Sequence, residues 1–185
     1  MIEGQHFVLP LFMLKFILLS FSILTMKTVS CTTIDGSIKE VPVDELTLRA
    51  QLYGIIINDK SEVLLVPNWD GFDFPGGGID LGETFEEAFS REIVEETGLI
   101  ATMDKIFYTD GSFFYHPNKE KGFQTILMYA TAKDVSGEIS TKNLDVHEKD
   151  YAGEAKWFSL EEAKALKFYN DVDSVELIRQ AIEKK

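Results

Sequence analysis

Residues 77–99 read GGIDLGETFEEAFSREIVEETGL, Gly77 to Leu99, and place Glu92, Glu95 and Glu96 within one turn of an expected helix that follows a glycine-rich loop. Carboxylates at i, i+3 and i+4 share a helical face and repel, each pair costing roughly 0.2–0.5 kcal/mol on an exposed helix. A hard cation among them would remove that cost. Stepping ~100° per residue from Phe85 puts Ala88, Phe89, Glu92 and Glu96 on one side, with Glu95 flanking it. The first half of the inward stripe is therefore apolar and the second half acidic. A helix that aims acids where a core should continue is the pattern of a site; the plain alternative is a solvated acidic face with loose periodicity. Thr84 and Glu87 fit a capping box, and Gly98 closes the helix. Glu87 and Arg91 make an i, i+4 pair, and Arg91 also reaches Glu95, so it can orient the acids as an outer partner does around a metal. Before the helix, Phe74-Pro75-Gly76-Gly77-Gly78 predicts a loop whose backbone can approach a ligand closely.

Gly77, Glu83, Arg91, Glu92, Ile93, Glu95, Glu96, Gly98 and Leu99 stand at the spacings of the signature of the Nudix hydrolase family, and no position departs from it. The stretch thus resembles a complete Nudix box. What the resemblance implies is magnesium-dependent hydrolysis of a nucleoside diphosphate linked to another group, with manganese as a substitute ion. It implies Glu92, Glu95 and Glu96 as metal and base carboxylates, the Gly77 carbonyl as a further metal ligand, and Glu83 and Arg91 as their orienters. The general base is either Glu92 or, as in some members, a glutamate on a later loop, here Glu148; the plain reading of Glu148 is a solvated loop acid. Chemically the assignment is sound, because magnesium takes oxygen ligands, is shared between carboxylates and phosphates, and lowers the pKa of an attacking water.

Composition sets bounds. With 185 residues and 45% hydrophobic content, one domain with a sizeable core is expected. A formal charge of −13 disfavours a nucleic-acid polymer as partner, since such binding rests on Lys and Arg contacts to phosphate. A small nucleotide is compatible with it. Cys31 is the single cysteine, so no internal disulfide forms, and the histidines lack zinc-ligand spacing.

Residues 1–30 do not match the rest. Phe7 to Leu24 is almost wholly apolar, interrupted by Pro10, Lys15, Ser20 and Ser22. It is short against the ~20 residues of a spanning helix, and its leader lacks the basic residues of a signal peptide. Three readings stay open: an upstream extension before a true start at Met26, which the flanks favour, a membrane anchor, or a cleaved signal. A cytoplasmic protein is expected, with membrane contact only if residues 7–24 anchor it. Oligomeric state is not legible.

The remaining chain alternates strands and helices. Strands are predicted at Leu48–Ile57, Glu62–Val66, Thr102–Tyr108, Ser112–Tyr115, Phe123–Lys133 and Glu154–Phe158, with a polar loop at His116–Gly122. Ser159 with Glu162 opens a helix to about Leu166, and Asp173 with Glu176 opens a last one. Mixed strands flanked by helices give an α/β class, and with the resemblance a Nudix α/β/α sandwich with a mixed central sheet over residues 46–185. Substrate signals are sparse. Trp69, Phe72 and Phe74 could stack on a base or simply pack, and Lys119 and Lys121 could meet phosphates or be solvated. By resemblance, the extended signature of the NADH pyrophosphatase subgroup and the coenzyme A motif are missing, and Pro117 falls two residues late for the ADP-ribose pyrophosphatases. Tyr115, sixteen residues after Leu99, fits a loose dinucleoside polyphosphate pattern. The expected substrate is a modified nucleoside triphosphate, as for MutT-like members; a dinucleoside polyphosphate is second, and a non-catalytic nucleotide sensor is the contrasting possibility.

Overall fold

The computed structural model describes residues 27–144 and 153–185, so Glu148 and the apolar stretch 7–24 lie outside the described residues. A first hairpin pairs β1 (Thr28–Thr32) with β2 (Ile38–Pro42). There follow β3 (Thr47–Ile55), β4 (Val63–Asn68), β5 (Gly71–Asp73) and β6 (Gly76–Gly78). Helix α1 spans Phe85–Thr97, and the long strands β7 (Ile100–His116) and β8 (Lys121–Ser136) come next. The chain closes with β9 (Lys156–Phe158), α2 (Leu160–Ala163) and α3 (Ser174–Glu183). A six-stranded sheet has the order β2-β1-β7-β8-β3-β6, and a three-stranded sheet the order β5-β4-β9. The larger sheet is mixed: β3/β8 and β1/β7 are parallel, the other pairs antiparallel.

Alternation along β3 and β8 builds the layers. Side chains of a strand point alternately to opposite faces. Leu52, Ile56, Met128 and Ala130 meet Phe89 and Ile93 of α1 on one face. Tyr53, Ile55, Leu127 and Tyr129 meet Ala163, Leu177 and Ile178 of α2 and α3 on the other. Helices on both faces of a mixed sheet are the α/β/α arrangement expected from the sequence. Helix α1 lies close to β3 because Gly54 has no side chain: a Cβ there would stand 2.9 Å from both Ile93 and Phe89. Phe85 departs from the expected inward stripe. As the first residue of α1 it is 45% exposed, beyond the reach of the sheet.

Several elements differ from expectation. The two strands predicted at 102–108 and 112–115 are one strand, which runs through Asp110-Gly111 because those residues stay paired with Leu127 and Ile126. Its irregularity is absorbed by register shifts between Ile100 and Tyr108. The polar loop 116–122 is mostly a 3-10 turn at Pro117–Lys119, capped where His116 Nδ1 accepts from the Lys119 N–H at 3.3 Å. Asp173 caps α3 by accepting from the Glu176 N–H at 3.0 Å, but the Glu176 carboxylate pairs with Arg179 and does not return. Strands β1 and β2 were not expected from the sequence.

Candidate active site

Helix α1 begins where Thr84 Oγ1 accepts from the Glu87 N–H (3.2 Å) and the Glu87 carboxylate accepts from the Thr84 N–H (2.8 Å), the expected capping box. The helix ends at Gly98, whose N–H bonds the Val94 carbonyl at 3.1 Å. These caps fix where the acids of the last turns stand.

Arg91 is the hub of the cluster. It donates twice to Glu83, from Nε to Oε1 at 2.7 Å and from Nη2 to Oε2 at 2.8 Å. Its Nη2 also donates to the Gly78 carbonyl at 3.0 Å, tying helix to glycine loop. Its Nη1 lies 2.9 Å from Glu92 Oε1 and 3.2 Å from Glu95 Oε2. A planar fork meeting a carboxylate with two parallel bonds is the strong geometry for such a pair. The hydrogen bonds from Arg91 hold Glu83 down at about 2, so Glu83 stays ionised. Those bonds, above all the one to Glu83, push the Arg91 guanidinium above its ordinary range.

The acids are placed differently from one another. Glu92 is buried against the glycine loop, where a Cβ on Gly77 would lie 2.7 Å from its Oε1. Only glycine leaves that carboxylate its position. Glu96 Oε2 accepts from the Gly76 N–H at 2.8 Å. Glu95 turns toward Arg91 and is more open than Glu92, its side chain 40% exposed. Gly77, Glu92 and Glu96 line one cleft. As the side chains stand, no three acids, cysteines or histidines among the described residues are drawn together tightly enough to grip an ion. The donor set nonetheless suits magnesium, since every group at the turn is a hard oxygen on adjacent backbone and helix. Arg91 and the Gly76 N–H presently occupy lone pairs that an ion would share.

The cleft has a volume of about 950 Å³, at the upper end of the range for small-ligand sites. Its floor is the sheet face carrying Arg49, Gln51, Thr125 and Ser112. Arg49 stands beside the glycine loop, its Nη2 2.7 Å from where a Gly78 Cβ would be. Trp69 lines the mouth and is 53% exposed. Phe74, also lining it, is buried between Tyr129 and Phe168. Phe72 packs edge-on against Phe158, outside the lining. Lys119 lines the cleft, whereas Lys121 does not. Tyr115 is turned to the opposite side, buried with Cys31 and Val41 under the ammonium of Lys39. Its spacing from the box therefore gives no support to a dinucleoside polyphosphate.

The sequence reading missed Arg49, Asp73 and Asn170. Asp73 is buried in the cleft wall, where Asn170 Nδ2 donates to it at 3.1 Å. An acid between two phenylalanines in a short apolar run was the available signal. Burial pushes Asp73 up to about 7, against hydrogen bonds from Phe74, Asn68 and Asn170 that pull it down. A carboxyl whose folded pKa exceeds its unfolded value of 3.8 binds its proton more tightly when folded. Its contribution to stability is thus fully present below that unfolded value and is lost as pH rises through about 7. Asp73→Asn should remove this loss. By denaturant titration, the variant is expected to gain on the wild type by on the order of a few kcal/mol between pH 4 and pH 8. A gap between the two that stays constant over that interval would show that Asp73 does not titrate there.

The NUDIX domain family model matches residues 47–180, well over half of the chain. The chain belongs to the Nudix family, and it carries the architecture and the complete box of a Nudix pyrophosphohydrolase. Among curated relatives, it is 47% identical over 51 residues to a putative 8-oxo-dGTP diphosphatase of Bacillus subtilis, covering 26% of this chain and 34% of that one. It is 30% identical over 118 residues to an ADP-ribose pyrophosphatase of Methanocaldococcus jannaschii, covering 61% and 63% respectively. The chain spans less than two thirds of the length of these relatives. Among solved structures, the MutT NUDIX hydrolase of Burkholderia pseudomallei superimposes with a TM-score of 0.52 at 23% identity, over 74% of this chain and 97% of the other. A NUDIX hydrolase of Nitrosomonas europaea gives 0.51 at 20% identity, over 75% and 90%. These two likenesses establish the fold. Among the described residues no helix is long and apolar enough to cross a membrane.

Proposed function

We propose that this protein is a magnesium-dependent hydrolase of the diphosphate bond in a small nucleotide, with a modified nucleoside triphosphate as its leading substrate. One observation carries the reading: a single cleft joins the glycine loop and acidic turn (Gly77, Glu92, Glu96) to a wall of ring and amide groups (Trp69, Asn170, with Asp73 behind it). The acidic turn suits phosphates that arrive with a cation; the wall suits a base.

Magnesium held by Glu92, Glu96 and the Gly77 carbonyl, with Glu95 swinging in, would neutralise the diphosphate oxygens and lower the pKa of a water. The chain's own residues do the rest. Arg49 faces the phosphates across the floor and offers them two parallel donors. Glu83 and Gly78 hold Arg91, which orients Glu92 and keeps Glu95 beside the site until an ion draws it in. Glu92 takes a proton from the attacking water in this reading; Glu148 is the other base that the family resemblance offers. Asn170 and Asp73 read the hydrogen-bonding edge of the base while Trp69 covers its face. The 8-oxo-dGTP diphosphatases among the relatives support a damaged purine triphosphate as that base's carrier.

The test is a panel of nucleotides assayed for phosphate and pyrophosphate release with and without magnesium. At least one triphosphate should be consumed only when the ion is present. Magnesium alone, by relieving repulsion among the helix-end carboxylates, should raise the melting temperature. A nucleotide that raises it without being consumed would mark a sensor and overturn the catalytic reading.

A further inference from the structure

The wall assigned to the base is assembled from two pieces of chain far apart in sequence. Trp69 sits in the turn that joins β4 to β5, where Asn68 pairs with Gly71. Asn170 sits in the irregular segment between α2 and α3. Exposed connections of this kind are ordinarily the mobile parts of a fold. These two are fastened to each other. The Phe72 N–H donates to the Lys167 carbonyl at 2.9 Å, and Phe72 pairs in parallel with Phe168. Gly71 permits the approach, since a Cβ there would stand 2.5 Å from the Lys167 carbonyl oxygen. Phe168 also stacks on Phe74, with ring centroids 6.0 Å apart.

Asp70 closes the fastening. Lys167 Nζ donates to both of its carboxylate oxygens, at 2.9 and 3.1 Å. The Tyr169 hydroxyl donates to the same carboxylate and accepts from the Asp70 N–H at 3.2 Å. The Lys167 ammonium lies 4.6 Å from the centre of the Tyr169 ring, within cation–π range. The acid is thus on one segment, and both of its partners are on the other.

An exposed ion pair contributes little to global stability, so the placement of this one is the informative feature. Asp70 directly follows Trp69, and Tyr169 directly precedes Asn170. The clasp grips each segment at the residue next to the one that faces the base. Trp69 has a φ of 53°, in the left-handed region where a bulky residue is rare. Such a backbone persists only where its surroundings dictate it. Here the bond from the Asp70 N–H holds the peptide that follows Trp69. Asn170 is held from the other side, where its amide donates to Asp73 at 3.1 Å and bonds the Tyr53 hydroxyl.

We propose that Asp70, Lys167 and Tyr169 are positioning residues: the clasp they form fixes the spacing between the Trp69 ring and the Asn170 amide, and so sets the affinity for the base. Fixing the two segments before the ligand arrives removes an ordering cost that binding would otherwise meet. Asp70 is outside the lining of the cleft, so its effect on a ligand passes through its neighbours. The glycine loop and acidic turn are built on β6 and α1 and do not depend on the clasp. This inference rests on the hydrolase reading above, with Trp69 and Asn170 as the wall for the base.

Asp70→Ala, Tyr169→Phe and the double variant test it, with Asp70→Asn as the conservative replacement. On the panel nucleotide consumed fastest, Asp70→Ala should raise KM about tenfold and Tyr169→Phe about threefold, the scale of losing charge-assisted hydrogen bonds. In both, kcat should stay within about twofold of the wild type, the pattern of binding lost without chemistry lost. The two residues serve one clasp, so the double variant should be no worse than Asp70→Ala alone. Asp70→Asn keeps an acceptor for Lys167 and Tyr169 and should restore most of the affinity. Hydrogen exchange without any nucleotide gives a second readout. Asp70→Ala should speed exchange at 167–170 as well as at 69–72, while α1 keeps its protection. Effects that multiply in the double variant, a fall in kcat at unchanged KM, or exchange at 167–170 indifferent to Asp70→Ala would overturn the proposal. If no nucleotide is consumed at all, the hydrolase reading fails by itself, and exchange together with the dissociation constants of the same nucleotides decides the clasp.

Discussion

Glu96→Gln is expected to lower kcat by at least about a hundredfold while the protein stays folded, because a carboxylate of the proposed ion site is replaced by an amide of equal size. The two consequences separate cleanly at this position. The Glu96 carboxylate accepts from the Gly76 N–H at 2.8 Å, and the amide oxygen of glutamine can accept the same bond. What is lost is the difference between a charged and a neutral acceptor, ~1 kcal/mol. Removing one of three clustered negative charges returns roughly 0.2–0.5 kcal/mol per relieved pair. The net change in stability is then within about 1 kcal/mol, or roughly 2–4 °C in melting temperature for a chain of this size. Turnover has no such compensation, since an amide binds a hard cation poorly. The check is kcat over a magnesium titration together with thermal unfolding. Wild-type rates at saturating magnesium would remove Glu96 from the site, and a collapse in melting temperature would mean its role is structural.

The legible part of this protein was the part in which function and local structure use the same residues. Thr84, Glu87 and Gly98 cap α1 within a few positions of one another, and the acids between them follow helical spacing, so the helix and its chemical face were readable together. The strands β3 and β8 were readable because Leu52–Ile56 and Leu127–Ala130 are buried on both faces and form continuous apolar runs. The hairpin was not readable. Only Cys31 and Val41 of β1 and β2 are buried, while Val29 is half-buried and Ile38 is exposed, so two five-residue segments with so few inward apolar positions do not announce strands. Its seat in the sheet comes from β7, where Thr32 pairs with Phe114 about eighty residues later in sequence. Arg49, Asp73 and Asn170 were missed for the same reason. Each is one polar residue in an ordinary local setting, and only the register of β3 against β8, and the turn before α3, gather them around a cleft. Phe85 failed in the other direction: helical periodicity gives the direction of a side chain, but not whether the sheet extends far enough to meet it.

The glycine loop supports the largest effect expected on the fold. Gly76→Ala should destabilise the protein by roughly 3–5 kcal/mol, from overpacking and a strained backbone acting together. At Gly76, φ is 146°, a region that side-chain-bearing residues rarely adopt. A Cβ would lie 2.3 Å from the Leu52 carbonyl oxygen and 2.6 Å from Tyr53 Cα. Both are backbone atoms of β3, so no rotamer change relieves the clash and β6 must draw away from its partner. That movement takes with it the Gly76 N–H that holds Glu96 and the Gly77 backbone against which Glu92 rests. Activity should therefore be lost even at temperatures where the variant is still folded. Gly82→Ala is the matched control, because φ there is 100° but nothing stands within 4 Å of the added Cβ. It carries the strain without the collision and should cost only ~1–3 kcal/mol. At roughly 2–4 °C per kcal/mol, the two variants should differ in melting temperature by several degrees. Equal losses would mean that the collision with β3 is relieved without cost, and that the close seating of the loop on that strand is not what holds the acids in place.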